Sequence, residues 1–178
     1  MIIKDFLQKI LDEIKKEYNI SNYDIDIIIE ENNDRPLAAK IFENQIVWSE
    51  HNFEMIHQTI YELLKENDIY IEGSIEYFYF VTKCCLCHEI GHFLDKNSRK
   101  SMCRLFAISQ ESCKCNTVQK YNILALEYKD IKVSMEIEAW NICENIMNMD
   151  DLYQKKIFDI IKSYFLQTYF NIDKRIIA

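Results

Sequence analysis

The segment that most restricts the fold of this chain is a predicted helix from Ile75 to Leu94, which is apolar along most of its length. Towards its end the sequence reads CCLCHEIGHFLD, and within it His88 and His92 are four positions apart. Residues four apart lie on the same face of an α-helix. The helix is therefore predicted to project both imidazoles to one side.

Two imidazoles on one helical face are typical of half a zinc site, because two such ligands leave the metal in need of a third. Glu89 lies about 100° around the helix from His88, where its carboxylate can approach a metal-activated water. There it can accept a proton from that water and later pass one to a leaving amine. The pattern H-E-x-x-H on a helix is a known metalloprotease signature.

A catalytic zinc needs a third protein ligand and an open position, and the segment KVSMEIEAWNICENIMNM offers two glutamates. On a helix, Glu136 falls within the apolar face, about 60° from Ala139, whereas Glu138 falls about 100° away on the other side. A carboxylate on a buried face needs a partner or a metal. Glu136 is therefore predicted as the third ligand. The alternative for Glu136 is an exposed position on the surface, and the upstream His51 and His57 are further candidates for the third ligand.

The order of predicted elements indicates the fold class. Helical periodicity covers residues 3–18, a strand lies in NYDIDIIIEE, and LAAKIFENQIVWSE reads as two short strands hinged near Glu43-Asn44. Further helices are predicted over residues 52–65, 75–94, 101–110, 118–129, 133–149 and 154–170. We therefore expect one α+β domain over residues 1–178, in which an N-terminal helix and a small three-stranded antiparallel sheet precede a helical body.

Composition argues against several classes of function. The formal net charge is −8, and arginine occurs only at positions 35, 99, 104 and 175, which argues against a nucleic-acid binder. No run of 18 apolar residues is present, so no membrane span is expected. The N-terminal segment is charged throughout, unlike a signal peptide. The seven cysteines form no secreted disulfide pattern, so reduced thiols in a cytoplasm are expected.

Several smaller features carry hypotheses of their own. Gly91, mid-helix, costs about 1 kcal/mol relative to alanine, and close approach of the glutamate-bearing helix is the expected gain. Asp95 either accepts a hydrogen bond from a ligand imidazole or ends a turn. The strand QIVWSE is a candidate edge for pairing with an extended peptide. The candidates for stabilising an oxyanion are Tyr121, Tyr128 and Tyr153.

The cysteines allow two interpretations. Cys84, Cys85 and Cys87 invite a second, thiolate-bound zinc, as do Cys113 and Cys115, but the paired C-x2-C spacing of such sites is missing. Buried free cysteine behaves as a small hydrophobic residue, and this interpretation is favoured. Cys84 shares the helical face of His88 and is predicted to line the cleft behind the metal.

The motifs HEIGH and EIEAW resemble the gluzincin class of zinc metallopeptidases, in particular its small ImmA/IrrE-type members, which pair HExxH with a downstream E-x-x-A-N segment. The resemblance implies one Zn²⁺ per chain held by His88, His92 and Glu136, with Glu89 as general base. It also implies a minigluzincin-like fold, with a helix and a three-stranded sheet before the zinc helix. Trp140 stands where Asn or Asp is usual in that pattern.

These features predict a cytoplasmic zinc-dependent endopeptidase that hydrolyses peptide bonds through a metal-activated water. Its expected partner is a peptide or protein substrate, which the resemblance suggests is a regulatory protein such as a transcriptional repressor; no nucleic acid or membrane partner is expected. The alternative is a catalytically silent, zinc-stabilised interaction or regulatory module, although such a module has no chemical need for Glu89. A helical domain without metal is the third hypothesis.

Overall fold

The computed structural model describes residues 2–30, 37–69 and 75–170 of the chain. In chain order its elements are helix α1 (Ile2–Glu17), strands β1 (Asp26–Ile29), β2 (Leu37–Lys40) and β3 (Gln45–Trp48), and helices α2 (Glu50–Glu66), α3 (Ile75–Leu94), α4 (Ser98–Ser112), α5 (Val118–Met147) and α6 (Leu152–Phe170). The predicted α+β class is confirmed. The segment NNDRP, whose composition predicts a turn, lies outside the described residues. No helix in the described ranges combines the length and apolarity needed to cross a bilayer.

The sheet is mixed, so the prediction of an antiparallel sheet is only partly right. Its strand order is β1-β3-β2, with β1 parallel and β2 antiparallel to β3. A tight turn that includes Asn44, whose φ is 53°, joins β2 to β3, and such a turn produces an antiparallel pair. Since β1 is parallel to β3, strands β1 and β2 run in opposite directions.

The central position of β3 overturns the hypothesis that QIVWSE is a peptide-binding edge. Both sides of β3 are already hydrogen-bonded, to β1 and to β2. Its side chains Ile46, Val47 and Trp48 are also buried in the core. Among the described strands the two edges are β1 and β2.

The helical body differs from the prediction mainly at α5. The segments predicted at 118–129 and 133–149 form one continuous helix of 30 residues. The residues between them contain neither Gly nor Pro, so nothing local interrupts the helix. α4 begins before the predicted residue 101, because the carboxylate of Asp95 accepts hydrogen bonds from the Asn97 N–H at 2.8 Å and the Ser98 hydroxyl at 2.9 Å. Asp95 therefore acts as a turn residue.

Helix α3 is the central element, and at Gly91 it packs directly against the backbone of α5. A Cβ atom built on Gly91 would lie 2.4 Å from the carbonyl oxygen of Ala139 and 2.9 Å from its Cα. Real Cβ atoms do not approach backbone atoms so closely. The expectation that glycine allows the glutamate-bearing helix to approach is therefore confirmed.

A buried histidine on α2 contributes to the core rather than to a polar site. His57 is 7% exposed, and its ring stacks on Phe78 with centroids 4.1 Å apart and an interplanar angle of 18°. Burial disfavours the charged imidazole and lowers its pKa from 6.5 to about 4. His57 is therefore neutral in the folded protein near neutral pH.

Acid should destabilise the protein through His57. Its folded pKa, about 4, lies below the unfolded value of 6.5, so the unfolded state binds the proton first as pH falls. The stabilisation that the neutral His57 ring provides is complete above pH 6.5 and is lost progressively as the pH falls towards 4. The shift corresponds to about 3 kcal/mol. Denaturant unfolding of the parent and His57→Phe across this window should show a steeper loss of unfolding free energy in the parent; parallel profiles would contradict this.

Candidate metal centre

Helices α3 and α5 bring His88, His92 and Glu136 together. One possible ligand atom from each residue lies within 4.8 Å of those of the other two. The Glu136 Oε2 atom is 3.2 Å from His88 Nε2 and 3.6 Å from His92 Nε2. All three residues are only 6–7% exposed. Two imidazoles and one carboxylate therefore converge on one buried point.

The hydrogen bonding of these atoms is incomplete in a way that fits a metal ion. Within the described residues, Glu136 Oε2 is buried and has no partner with hydrogen-bond geometry, although both Nε2 atoms are near. A buried carboxylate oxygen without a partner is costly, and a cation placed between the three side chains would remove that cost. A set of two imidazoles and one carboxylate leaves a coordination position open. The group can therefore bind a metal ion.

The electrostatics of the group keep its carboxylate ionised. Burial alone would raise the pKa of Glu136, but its close contacts with His88 and His92 outweigh burial and hold that pKa well below its usual range. Burial alone would lower the pKa of His92, but contact with Glu136 and the negative charge of Glu89 raise it. Protons therefore compete with a metal ion for the imidazole, and metal affinity falls as the pH falls.

Glu89 lies beside the converging group but is not part of it. Its Oε1 atom is 4.0 Å from His88 Nε2, and the residue is 7% exposed. It lines the same cavity as the three candidate ligands. If a metal ion were bound there, a carboxylate beside it could accept a proton from the ion's water ligand, which is the role of a general base.

The cavity at the centre has a volume of about 100 Å³ and is lined by residues from β2, α3, α4, α5 and α6. Ala39, Met102 and Met135 contribute apolar groups to its wall. Lys132 and Tyr169 add polar groups. Neither residue was predicted from the sequence. Lys132 precedes Glu136 by four positions and shares its helical face, so periodicity carried a signal for it, whereas nothing in the sequence singled out Tyr169.

Other predicted candidates lie away from the centre. Glu138 is exposed, and His57 packs in the core against Phe78. The side chain of His51 is outside the described part of the chain. The three tyrosines proposed for the oxyanion are 36–46% exposed and do not line the cavity: Tyr121, Tyr128 and Tyr153.

The seven cysteines are free thiols, and four of them are buried. Cys84 does not line the cavity; it packs in the core, where its backbone oxygen accepts a hydrogen bond from the Cys143 thiol at 3.5 Å. Burial raises the pKa of both thiols well above the usual value. These cysteines are therefore protonated and apolar in character.

Comparison of the chain with protein-family models, curated proteins and solved structures finds no match. Function therefore has to be inferred from the chemistry of the centre, because a fold class alone does not define an activity.

Proposed function

We propose that this protein is a zinc-dependent endopeptidase of the gluzincin class, similar to its small ImmA/IrrE-type members. The observation that carries the proposal is the burial of His88, His92 and Glu136 around one point, with Glu89 beside them. Two imidazoles, one carboxylate and an open position are a ligand set that catalytic zinc sites use. The order of a helix, a three-stranded sheet, the HExxH helix and the glutamate helix supports a minigluzincin-like fold.

Each candidate residue has a distinct role in the proposed hydrolysis. A bound zinc ion would supply Lewis acidity at the scissile carbonyl. His88, His92 and Glu136 would hold it, while Glu89 accepts a proton from the attacking water and delivers one to the leaving amine. Lys132 and Tyr169 replace the three tyrosines as candidates for stabilising the oxyanion, because they line the cavity.

The substrate is proposed to be a peptide segment of a protein, such as a transcriptional repressor, bound in an extended conformation along β2. This strand lies at an edge of the described sheet, and Ala38 and Ala39 on it line the cavity. Small side chains allow the backbone of a peptide to approach closely. An extended peptide would add main-chain hydrogen bonds to this edge, next to the proposed zinc.

One observation favours the alternative of a catalytically silent, zinc-stabilised interaction module. The cavity, at about 100 Å³, is smaller than typical ligand pockets of about 300–1,000 Å³. A protein that uses zinc only to join α3 to α5 would need no larger opening. The two functions differ in whether Glu89 contributes to a measurable reaction.

The metal centre is tested by elemental analysis of the parent, Glu136→Ala and Glu138→Ala proteins. We expect one zinc per chain in the parent and in Glu138→Ala, because Glu138 is exposed. Glu136→Ala should bind zinc more than about 100-fold more weakly, since loss of a supporting residue alone costs 10- to 100-fold. Iron instead of zinc would keep the centre but change the metal. A parent that binds no metal after reconstitution would overturn the proposal.

A further inference from the structure

The two candidate imidazole ligands lack a usual means of orientation. A metal-bound histidine normally donates its second ring N–H to a carboxylate, carbonyl or water, which fixes the ring. In the described part of the chain, the Nδ1 atoms of His88 and His92 are buried without a hydrogen-bond partner. Asp95, a sequence candidate for this role, bonds to Asn97 and Ser98 instead. No described protein group therefore supplies this hydrogen bond to either ring.

A different contact is present on His88. The indole of Trp140 stacks on its imidazole with centroids 4.3 Å apart and an interplanar angle of 24°. Trp140 follows Glu136 by four positions on α5 and is fully buried. We propose that Trp140 is a positioning residue of the proposed metal centre, on which this inference rests. Its indole holds His88 by aromatic stacking, where related sites are expected to use a hydrogen bond.

Trp140 also packs against two aromatic residues of α6. Its ring meets Phe158 edge-on, with centroids 5.7 Å apart and an angle of 71°, and meets Phe165 at 5.7 Å and 30°. Its Nε1 atom has no partner among the described residues, which is a cost that phenylalanine would avoid. What the indole adds over phenylalanine is a larger and more electron-rich face. The structure thus backs His88 with a rigid aromatic surface.

The stacking should strengthen when metal binds. A metal ion withdraws electron density from the imidazole and gives the ring cationic character. Among side chains, tryptophan offers the face that attracts a cation most strongly, and the attraction is greatest where water is excluded. Trp140 therefore contributes to metal affinity and not to packing alone. Through Glu136 and Trp140, α5 supplies one ligand and orients another.

Zinc affinity across ring variants tests this role. Competition with a chromophoric chelator should give the order parent, then Trp140→Phe, then Trp140→Leu, with the leucine variant about 10- to 100-fold weaker than the parent. Trp48→Leu is the matched control, because Trp48 is also buried, at 2% exposure, but lies on strand β3 and not on a helix that carries a candidate ligand. Its zinc affinity should stay close to that of the parent even though its core is truncated. Equal losses in Trp48→Leu and Trp140→Leu would overturn the proposal.

Tryptophan fluorescence provides a readout that packing alone would not move. The chain has two tryptophans, so Trp48→Phe leaves Trp140 as the only source of tryptophan emission. Adding zinc should quench this variant, because an electron-poor imidazole accepts an electron from the excited indole, whereas Trp140→Phe should respond much less. If zinc binds but leaves the Trp140 emission unchanged, the proposed role of Trp140 is wrong, and this result can be obtained even if Trp140→Leu fails to fold. If the parent binds no zinc, the proposed metal centre is wrong as well. The two failures can therefore be distinguished.

Discussion

Replacing Glu89 with glutamine should leave zinc binding intact and lower peptide hydrolysis by roughly 10²- to 10⁴-fold, the usual contribution of a general base. Glutamine keeps the size of the side chain but cannot accept a proton near neutral pH. Zinc should stay bound because Glu89 lies outside the group formed by His88, His92 and Glu136. Mass spectrometry of products from a peptide library, together with elemental analysis, measures both quantities on the same protein.

The matched control is Glu138→Gln, which makes the same chemical change on an exposed face of α5. It should cleave the library as the parent does. If Glu89→Gln cleaves as well as the parent, the proposed role of Glu89 is wrong. If the parent binds zinc but cleaves no peptide and no protein that it binds, the silent interaction module becomes the better account.

The parts of the centre that could be predicted from the sequence are those encoded by helical periodicity. The spacing of His88 and His92 determines which face they share, whatever packs against it. The same reasoning assigned Glu136 to a buried face and Glu138 to the other side, and the structure places them so. Gly91 was also readable, because its cost within a helix pointed to a close contact.

What could not be predicted depends on which elements meet across the fold. The pairing of β1 with β3 is set by the path of the connections, and short strands carry no local signal for it. Tyr169 reaches the cavity from the far end of α6, so its role depends on how α6 packs. Trp140 was noted only as a departure from a motif, and its stacking on His88 required the position of α5 relative to α3.

Gly91→Ala should lower both stability and zinc affinity, although alanine is the better helix former. The intrinsic gain is about 1 kcal/mol. Against it, the new methyl group would meet the Ala139 carbonyl oxygen at 2.4 Å, and overpacking typically costs about 1–3 kcal/mol. Because the obstacle is backbone rather than a side chain that can rotate, we expect the upper end of that range and a net loss of about 2 kcal/mol.

The same clash should also displace Glu136, the proposed third ligand. Relieving the clash requires α5 to move away from α3, and Glu136 lies one turn before Ala139 on α5. Zinc affinity should therefore fall by more than about tenfold, as expected when a supporting contact of a metal site is lost. Ser134→Ala, on an exposed position of α5, isolates the effect of helix propensity: it should raise stability by roughly 0.5 kcal/mol and leave zinc affinity unchanged. Denaturant unfolding of the metal-free proteins and chelator competition measure the two effects separately. Parent-like stability and affinity in Gly91→Ala would mean that α3 and α5 are not in contact at this point, and the shared centre built on that contact would lose its structural basis.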